Sequence, residues 1–199
     1  MTEEFDRLRR TVIAGLAALP LAGMAGSAAA APRGVKTSGA KSLVAYFSRS
    51  GNTRVVAGLI QRAIGADIFE ISVQTPYPAD YLQTVDQAKR ESDAGFEPPL
   101  AGLVRNFNDY QTIFLGFPIW GMTVPPALRS FMHGHNFSGK VIVPFITHGG
   151  YGTGNSPSII SSHAPGAKLL SGFSMQADQE RTAMERVNAW MSEAGIRAS

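Results

Sequence analysis

Two short apolar runs without polar interruption, Thr112-Ile113-Phe114-Leu115 and Val141-Ile142-Val143, constrain the fold of this chain more than any other feature. A strand with one wet face alternates apolar and polar residues, so a continuous run reads as a strand covered on both faces. Strand-like segments stand at 42–47, 66–72, 111–116, 140–147 and 168–174. Between them the period changes to that of a helix. Val56, Leu59, Ile60, Ala63 and Ile64 share one helical face, and Tyr81, Leu82 and Val85 mark a helix over 79–93. Pro125-Pro126 open another that reaches Met132, with proline well placed in a first turn, and Met184, Val187, Trp190 and Met191 stripe a last one within 177–194. Five strands alternating with helices predict the α/β class, as a single doubly wound parallel sheet with helices on both faces.

Two stretches resist this pattern. Pro144 falls inside the fourth strand, where proline cannot donate to a ladder, so a bulge or a local loss of pairing is the expected accommodation. Residues 91–108 carry no clear period and read either as a surface excursion covering a ligand or as a long connection.

The N-terminus stands apart in composition. Arg9-Arg10 precede an uncharged stretch, 11–31, that ends in Ser27-Ala28-Ala29-Ala30-Ala31, small residues of the kind found at cleavage sites. Paired arginines before such a stretch predict export to the periplasm by the twin-arginine route, with cleavage after Ala30. The alternative is a retained membrane anchor facing the periplasm, since the stretch is long enough to span a bilayer at about 1.5 Å per residue. Its Ala and Gly content and Pro20 make its insertion energy poor. The expected organisation is therefore an export signal over 1–31, a flexible lead-in over 32–41, and one domain over 42–199. Losing 1–31 removes three arginines and three acids, so the net charge is +3 with or without it. That small value does not point to nucleic acid, and it makes a membrane partner only if the anchor is retained. The chain has no cysteine, which excludes disulfides, iron–sulfur clusters, zinc-thiolate sites and cysteine nucleophiles.

Chemistry concentrates in three loops that follow predicted strands. Ser48-Arg49-Ser50-Gly51-Asn52-Thr53 lies between the first strand and the first helix, and it combines hydroxyls, an amide side chain and a glycine. Backbone N–H groups at a helix N-terminus supply donors and partial positive charge, so this composition suits a phosphate monoester. The same residue types are also the preferred helix caps. Neither the P-loop spacing nor the dinucleotide fingerprint is present. After the third strand comes Gly116-Phe117-Pro118-Ile119-Trp120-Gly121-Met122-Thr123, in which Trp120 reads as a lid on the core or as a stacking platform for a planar ring. After the fourth comes Thr147-His148-Gly149-Gly150-Tyr151-Gly152-Thr153-Gly154-Asn155, a plain turn or a loop whose amides face a ligand edge. Open parallel sheets bind ligands at the carboxyl ends of their strands, where these loops sit.

Phosphate loop, ring platform and amide-rich loop, in this order, resemble the flavodoxin family over residues 42–196. The resemblance is specific in Ser48-Arg49-Ser50-Gly51-Asn52-Thr53 and in Gly116-Phe117-Pro118-Ile119-Trp120. It implies strand order 2-1-3-4-5 and the cofactor flavin mononucleotide, FMN. By position it implies that Ser48, Arg49, Ser50, Gly51, Asn52 and Thr53 form the phosphate site. Pro118, Ile119, Trp120 and Gly121 would flank the ring, with a backbone carbonyl near Gly121 accepting from the reduced flavin's ring N–H. Thr147, His148, Gly149, Gly150, Tyr151 and Gly152 would line the opposite edge, with Tyr151 as a second stacking ring. Three features differ from the family: familiar flavodoxins are strongly acidic, they are cytoplasmic where this chain is expected to be exported, and their phosphate loops rely on neutral groups where this chain has Arg49 and Arg54.

His148 is a donor candidate in the ring loop, whereas His133 and His135, around Gly134, read as a helix end and not as metal ligands. No metal site and no catalytic side chain are expected. The leading expectation is an FMN-binding electron carrier serving a redox partner protein or a small-molecule acceptor. Alternatives are an FMN-dependent NAD(P)H:quinone-type oxidoreductase of the same fold and a degenerate binding module without cofactor.

Overall fold

A computed structural model describes residues 41–177 and 180–196, with the side chains of 180 and 181 left aside. The expected export signal over 1–31, and all but the last residue of the lead-in, lie outside the described residues. The strands are β1 (Lys41–Tyr46), β2 (Asp67–Glu70), β3 (Tyr110–Pro118), β4 (Val141–His148), β5 (Lys168–Leu169) and β6 (Phe173–Gln176). The helices are α1 (Asn52–Ile64), α2 (Tyr81–Asp93), α3 (Pro126–His133), α4 (Ser156–His163) and α5 (Glu180–Glu193). All strand pairs are parallel, in the order β2-β1-β3-β4-β5, with β6 also paired to β4. The doubly wound sheet of the expected order is therefore present. Among the described residues no helix is long and apolar enough to cross a membrane.

Strand alternation sorts the core into two layers. Leu43, Ala45, Ile113, Leu115, Phe117, Ile142 and Ile146 face α3 and α4, which answer with Ala127, Leu128, Phe131, Met132 and Ile160. Val44, Tyr46, Phe114, Val143 and Phe145 face α1 and α5, which answer with Val56, Ala57, Ile60, Val187 and Met191. Both faces of β1, β3 and β4 are dry, which explains why their sequences run apolar without alternation. Reversal of winding after β2 sends the right-handed crossovers to opposite faces, with α1 on one side and α3 on the other.

The fifth strand, expected as one segment over 168–174, is two. Three steps along β4, Ile142 to Phe145, match four along its neighbour, Leu169 to Phe173, so one extra residue is accommodated. Pro144 is the cause. The Ile142 carbonyl accepts from Leu170 N–H at 2.9 Å, so Pro144, two residues on, faces the same neighbour and has no N–H to offer it. The ladder from β4 to β3 continues past Pro144, paired with Leu115, undisturbed. A helix also stands where none was expected: Ser156–His163 has a weakly amphipathic sequence, rich in serine, and buries only Ser156 and Ile160.

α2 is placed unlike its pattern suggests. Its buried residues are Thr84 and Ala88, while Tyr81, Leu82 and Val85 are exposed. Residues 99–107 occupy the core position instead. Leu100 and Val104 pack on the α3 layer, Phe107 is buried in it, and the strap is tied by Gln74 N–H to Pro99 O and Ala101 N–H to Ser72 O, both 2.8 Å. His135 holds it further, accepting from Val104 N–H at 3.0 Å through Nε2 and meeting the Phe131 carbonyl at 2.8 Å through Nδ1. The 91–108 stretch is thus α2's last turn and a structural strap.

Gly172 packs against the proline that breaks its strand, and a Cβ there would lie 2.1 Å from the Pro144 carbonyl oxygen and 2.6 Å from its ring. Gly172→Ala is expected to lower stability by about 1–3 kcal/mol, read as a shifted urea midpoint.

Candidate functional site

Parallel pairing brings the loops after β1, β3 and β4 to one edge, beside the β1/β3 point where strand order reverses. The first loop ends in Gly51, whose φ of +96° is left-handed and suits glycine; no atom lies within 4 Å of where its Cβ would be. Gly51 is the N-cap of α1 and has no side chain with which to cap it. Ser48 takes over part of that role, its Oγ accepting from Gly51 N–H at 3.2 Å and from Arg54 N–H at 3.3 Å. Among the described residues the N–H groups of Ser50, Asn52 and Thr53 have no acceptor. A cradle of amides at a helix N-terminus, with Ser48 and Ser50 hydroxyls beside it, is built to take an anion.

The two arginines of this region turn elsewhere. Arg49 donates to the Ala79 carbonyl at 2.7 Å and lies 5.8 Å from the centre of the Tyr81 ring. Arg54 pairs with Glu70 at 2.5 Å, and Tyr46 donates to the other Glu70 oxygen at 3.1 Å. The anion cradle is left to neutral groups. Thr53 is also specialised: its side chain is buried, and its hydroxyl lies 2.8 Å from that of Thr147 at the end of β4.

The third strand runs to Pro118, so the second loop begins only at Ile119. Ile119 N–H donates to the Thr147 carbonyl at 2.8 Å. Trp120 and Thr123 exchange both backbone hydrogen bonds at 3.1 Å across a tight turn with φ +56° at Gly121 and +67° at Met122. Two positive φ values in succession mark a type I′ turn, in which Met122 sits in a region that side chains rarely adopt. The carbonyls of Trp120 and Met122 are both used, leaving that of Gly121 without a partner among the described residues. Trp120 itself is half-buried, meeting Phe47 at 5.3 Å and Tyr77 at 4.9 Å between ring centres, both nearly perpendicular. Such edge contacts hold the indole in one orientation. Trp120 therefore joins the core's margin and keeps part of its surface at the edge.

The third loop is fastened to the second. Asn155 N–H donates to the Met122 carbonyl at 3.1 Å, and a Cβ on Gly154 would lie 1.9 Å from that same oxygen. Only glycine fits this contact. His148 Nδ1 accepts from Gly150 N–H at 3.1 Å, which places the proton of the neutral ring on Nε2. Burial, and then the Arg186 guanidinium, hold the His148 imidazole below its ordinary value, so it is neutral at pH 7. Tyr151, at 80% exposure, is free of the core, and Gly149 lies beside it in solvent.

The structure thus gathers Ser48, Ser50, Gly51, Asn52 and Thr53 at the cradle, and Ile119, Trp120, Gly121, Thr147, His148, Gly150, Tyr151 and Gly152 along the same edge. Pro118 lies in β3, and Arg49 reaches toward α2. Phe47, Tyr77 and Gly154 complete the edge without having been singled out. Phe47 reads in sequence as one more strand residue, and Tyr77 lies in an irregular loop after β2 that carries no periodic signal. Gly154 stood in a loop of four glycines, where nothing marks which one makes a backbone contact.

The remaining histidines have structural partners. His133 Nδ1 lies 2.8 Å from Glu97, and His163 Nδ1 lies 3.0 Å from the Ile159 carbonyl. Among the described residues no group of three His, Asp or Glu side chains is arranged to hold a metal ion.

Gly154→Ala should part the two loops, lowering stability by about 1–3 kcal/mol and speeding amide exchange at residues 119–123. The His148 imidazole should titrate below about 6.5, and Arg186→Gln should raise its midpoint toward that value, both read by NMR. Because the native ring resists a proton that the unfolded chain accepts, its contribution to stability is complete above about pH 6.5 and falls as pH drops toward the native midpoint.

With this geometry in place, comparisons with known proteins give a consistent result. The family model for Flavodoxin matches residues 41–194. A candidate flavoprotein of Bacteroides eggerthii is 29% identical, with 79% of this chain and 99% of that one covered and a TM-score of 0.69. A second, from Bacteroides uniformis, is 29% identical over 75% and 99% of the chains, with a TM-score of 0.66. A flavoprotein of Lactobacillus acidophilus in complex with FMN shares the fold at 21% identity and a TM-score of 0.59, over 73% and 99% of the chains. No curated protein matches the sequence. A match to the family model across most of the chain, on a sheet of this order, establishes that the protein belongs to the flavodoxin family.

Proposed function

We propose that this protein binds FMN at the carboxyl edge of its sheet and acts as an electron-transfer flavoprotein outside the cytoplasm. The observation that carries the reading is the meeting of an amide cradle, a braced indole and a glycine-rich loop at one switch point. The residues fit the group. The N–H groups of Ser50, Asn52 and Thr53 and the hydroxyls of Ser48 and Ser50 would hold the phosphate, with Gly51 leaving room for it. Trp120 would flank the ring on one side and residues 148–152 on the other, with Thr147 buried behind them. When bound, the flavin supplies the redox chemistry.

Two groups at this edge suit a ring whose proton content changes on reduction. The Gly121 carbonyl is an acceptor with no partner among the described residues, and His148 Nε2–H is a donor fixed by the bond from Gly150. The L. acidophilus flavoprotein, of the same fold, was solved in complex with FMN, which supports the assignment.

Export belongs to the same proposal. Arg9-Arg10 and the uncharged stretch 11–31 suit the twin-arginine route, which carries folded proteins and so suits a cofactor made in the cytoplasm. N-terminal sequencing of the exported protein should begin at Ala31; an intact N-terminus in the membrane fraction would instead indicate a retained anchor.

A second reading, an FMN-dependent reductase of quinone-like acceptors that uses a reduced nicotinamide, draws on one observation. Tyr81 and Leu82 are 66% and 69% exposed, and Met122 is 49% exposed in the ring-flanking turn. Exposed apolar side chains at the start of α2 and in this turn suit an uncharged, planar second substrate. Rapid bleaching by a reduced nicotinamide followed by reoxidation with a quinone would favour the enzyme, whereas reduction only through a partner protein would favour the carrier.

Titration with FMN should give a yellow protein in equimolar complex; a protein that stays colourless would overturn the proposal. Trp120→Ala is expected to weaken FMN binding roughly three- to tenfold, the share that ring stacking contributes, as read by fluorescence quenching.

A further inference from the structure

We propose that Thr147 is the positioning residue of the phosphate cradle, acting through Thr53; the inference rests on the FMN reading above. The two hydroxyl oxygens lie 2.8 Å apart, 94 residues apart in sequence, in residues only 1% and 2% exposed. Water therefore does not compete for this bond. Only one proton can lie between two hydroxyls, so the pair has a direction, and the second proton points away from it.

Either hydroxyl can be the donor, and in both directions the bond holds Thr53, and with it the first turn of α1, in one place. Thr147 can anchor it because its own backbone is fixed: it sits in β4 in register with Pro118 and Met175, and its carbonyl accepts from Ile119 N–H at 2.8 Å. Thr53 is the second residue of α1, so the bond ties the helix N-terminus, with its unpartnered amides, to the end of β4. One strand residue thereby sets the cradle through its side chain and the ring-flanking loop through its carbonyl, and it leads directly into His148.

The test compares FMN with riboflavin, which has the ring and no phosphate, on the purified full chain. Thr147→Val is expected to weaken FMN about fivefold while changing riboflavin less than twofold, and Thr147→Ser to restore the FMN affinity. An unchanged FMN-to-riboflavin ratio in Thr147→Val, or a serine protein as weak as the valine one, overturns the role of Thr147. Should Thr147→Val fail to fold, the Thr53→Val and Thr53→Val/Thr147→Val proteins replace it, the latter packing methyl on methyl. The two should bind FMN within twofold of each other; a further fivefold loss in the double variant overturns the inference. Wild-type protein that binds neither flavin overturns the FMN reading itself.

Discussion

The parallel ladder across β1, β3 and β4, in one register from Ser42 onward, is the constraint on which the rest of this protein depends. Val44 stands opposite Phe114, and Phe114 opposite Val143, so three strands share one register with both faces buried. A slip of one residue would turn Ile113, Leu115 and Phe117 toward the wrong layer. The register therefore fixes where three loops leave the sheet. It also explains how residues near 50, 120 and 150 come together without any sequence signal linking them.

Local interactions refine what the ladder sets. Phe47 N–H to Gly116 O, Ile119 N–H to Thr147 O and Asn155 N–H to Met122 O bind each loop to the next strand or loop. The edge is a set of cross-braced turns and not three independent segments. Its exceptional backbone conformations, Gly51 and the Gly121-Met122 turn, fall where a ligand would approach, as strained positions in a braced scaffold commonly do. The charge pattern follows a different logic from that of the strongly acidic members of the family. Arg49 and Arg54, which stand out in sequence, are drawn off to Ala79 and Glu70, and the cradle remains neutral.

Much of the fold was legible because burial on both faces writes itself into composition. The apolar runs in β3 and β4, the stripes of α1 and α5, and the conflict at Pro144 each report a local physical fact. α2 was legible as a helix, but its buried face and the strap were not, since Tyr81, Leu82 and Val85 look like a buried face, whereas Leu100, Val104 and Phe107 are the residues that pack on the core. α4 escaped notice because a serine-rich helix with two buried residues has almost no periodic signal.

The sequence by itself determined the class of sheet, the three loops and the types of chemistry that each could offer, because propensity, periodicity and donor inventory are local properties. The tertiary structure alone decided how those groups are used. It turned two arginines away from the cradle and placed Trp120 against Phe47 and Tyr77. It also joined Thr53 to Thr147. These outcomes depend on distances between residues far apart in the chain, and such distances exist only once the ladder has set its register.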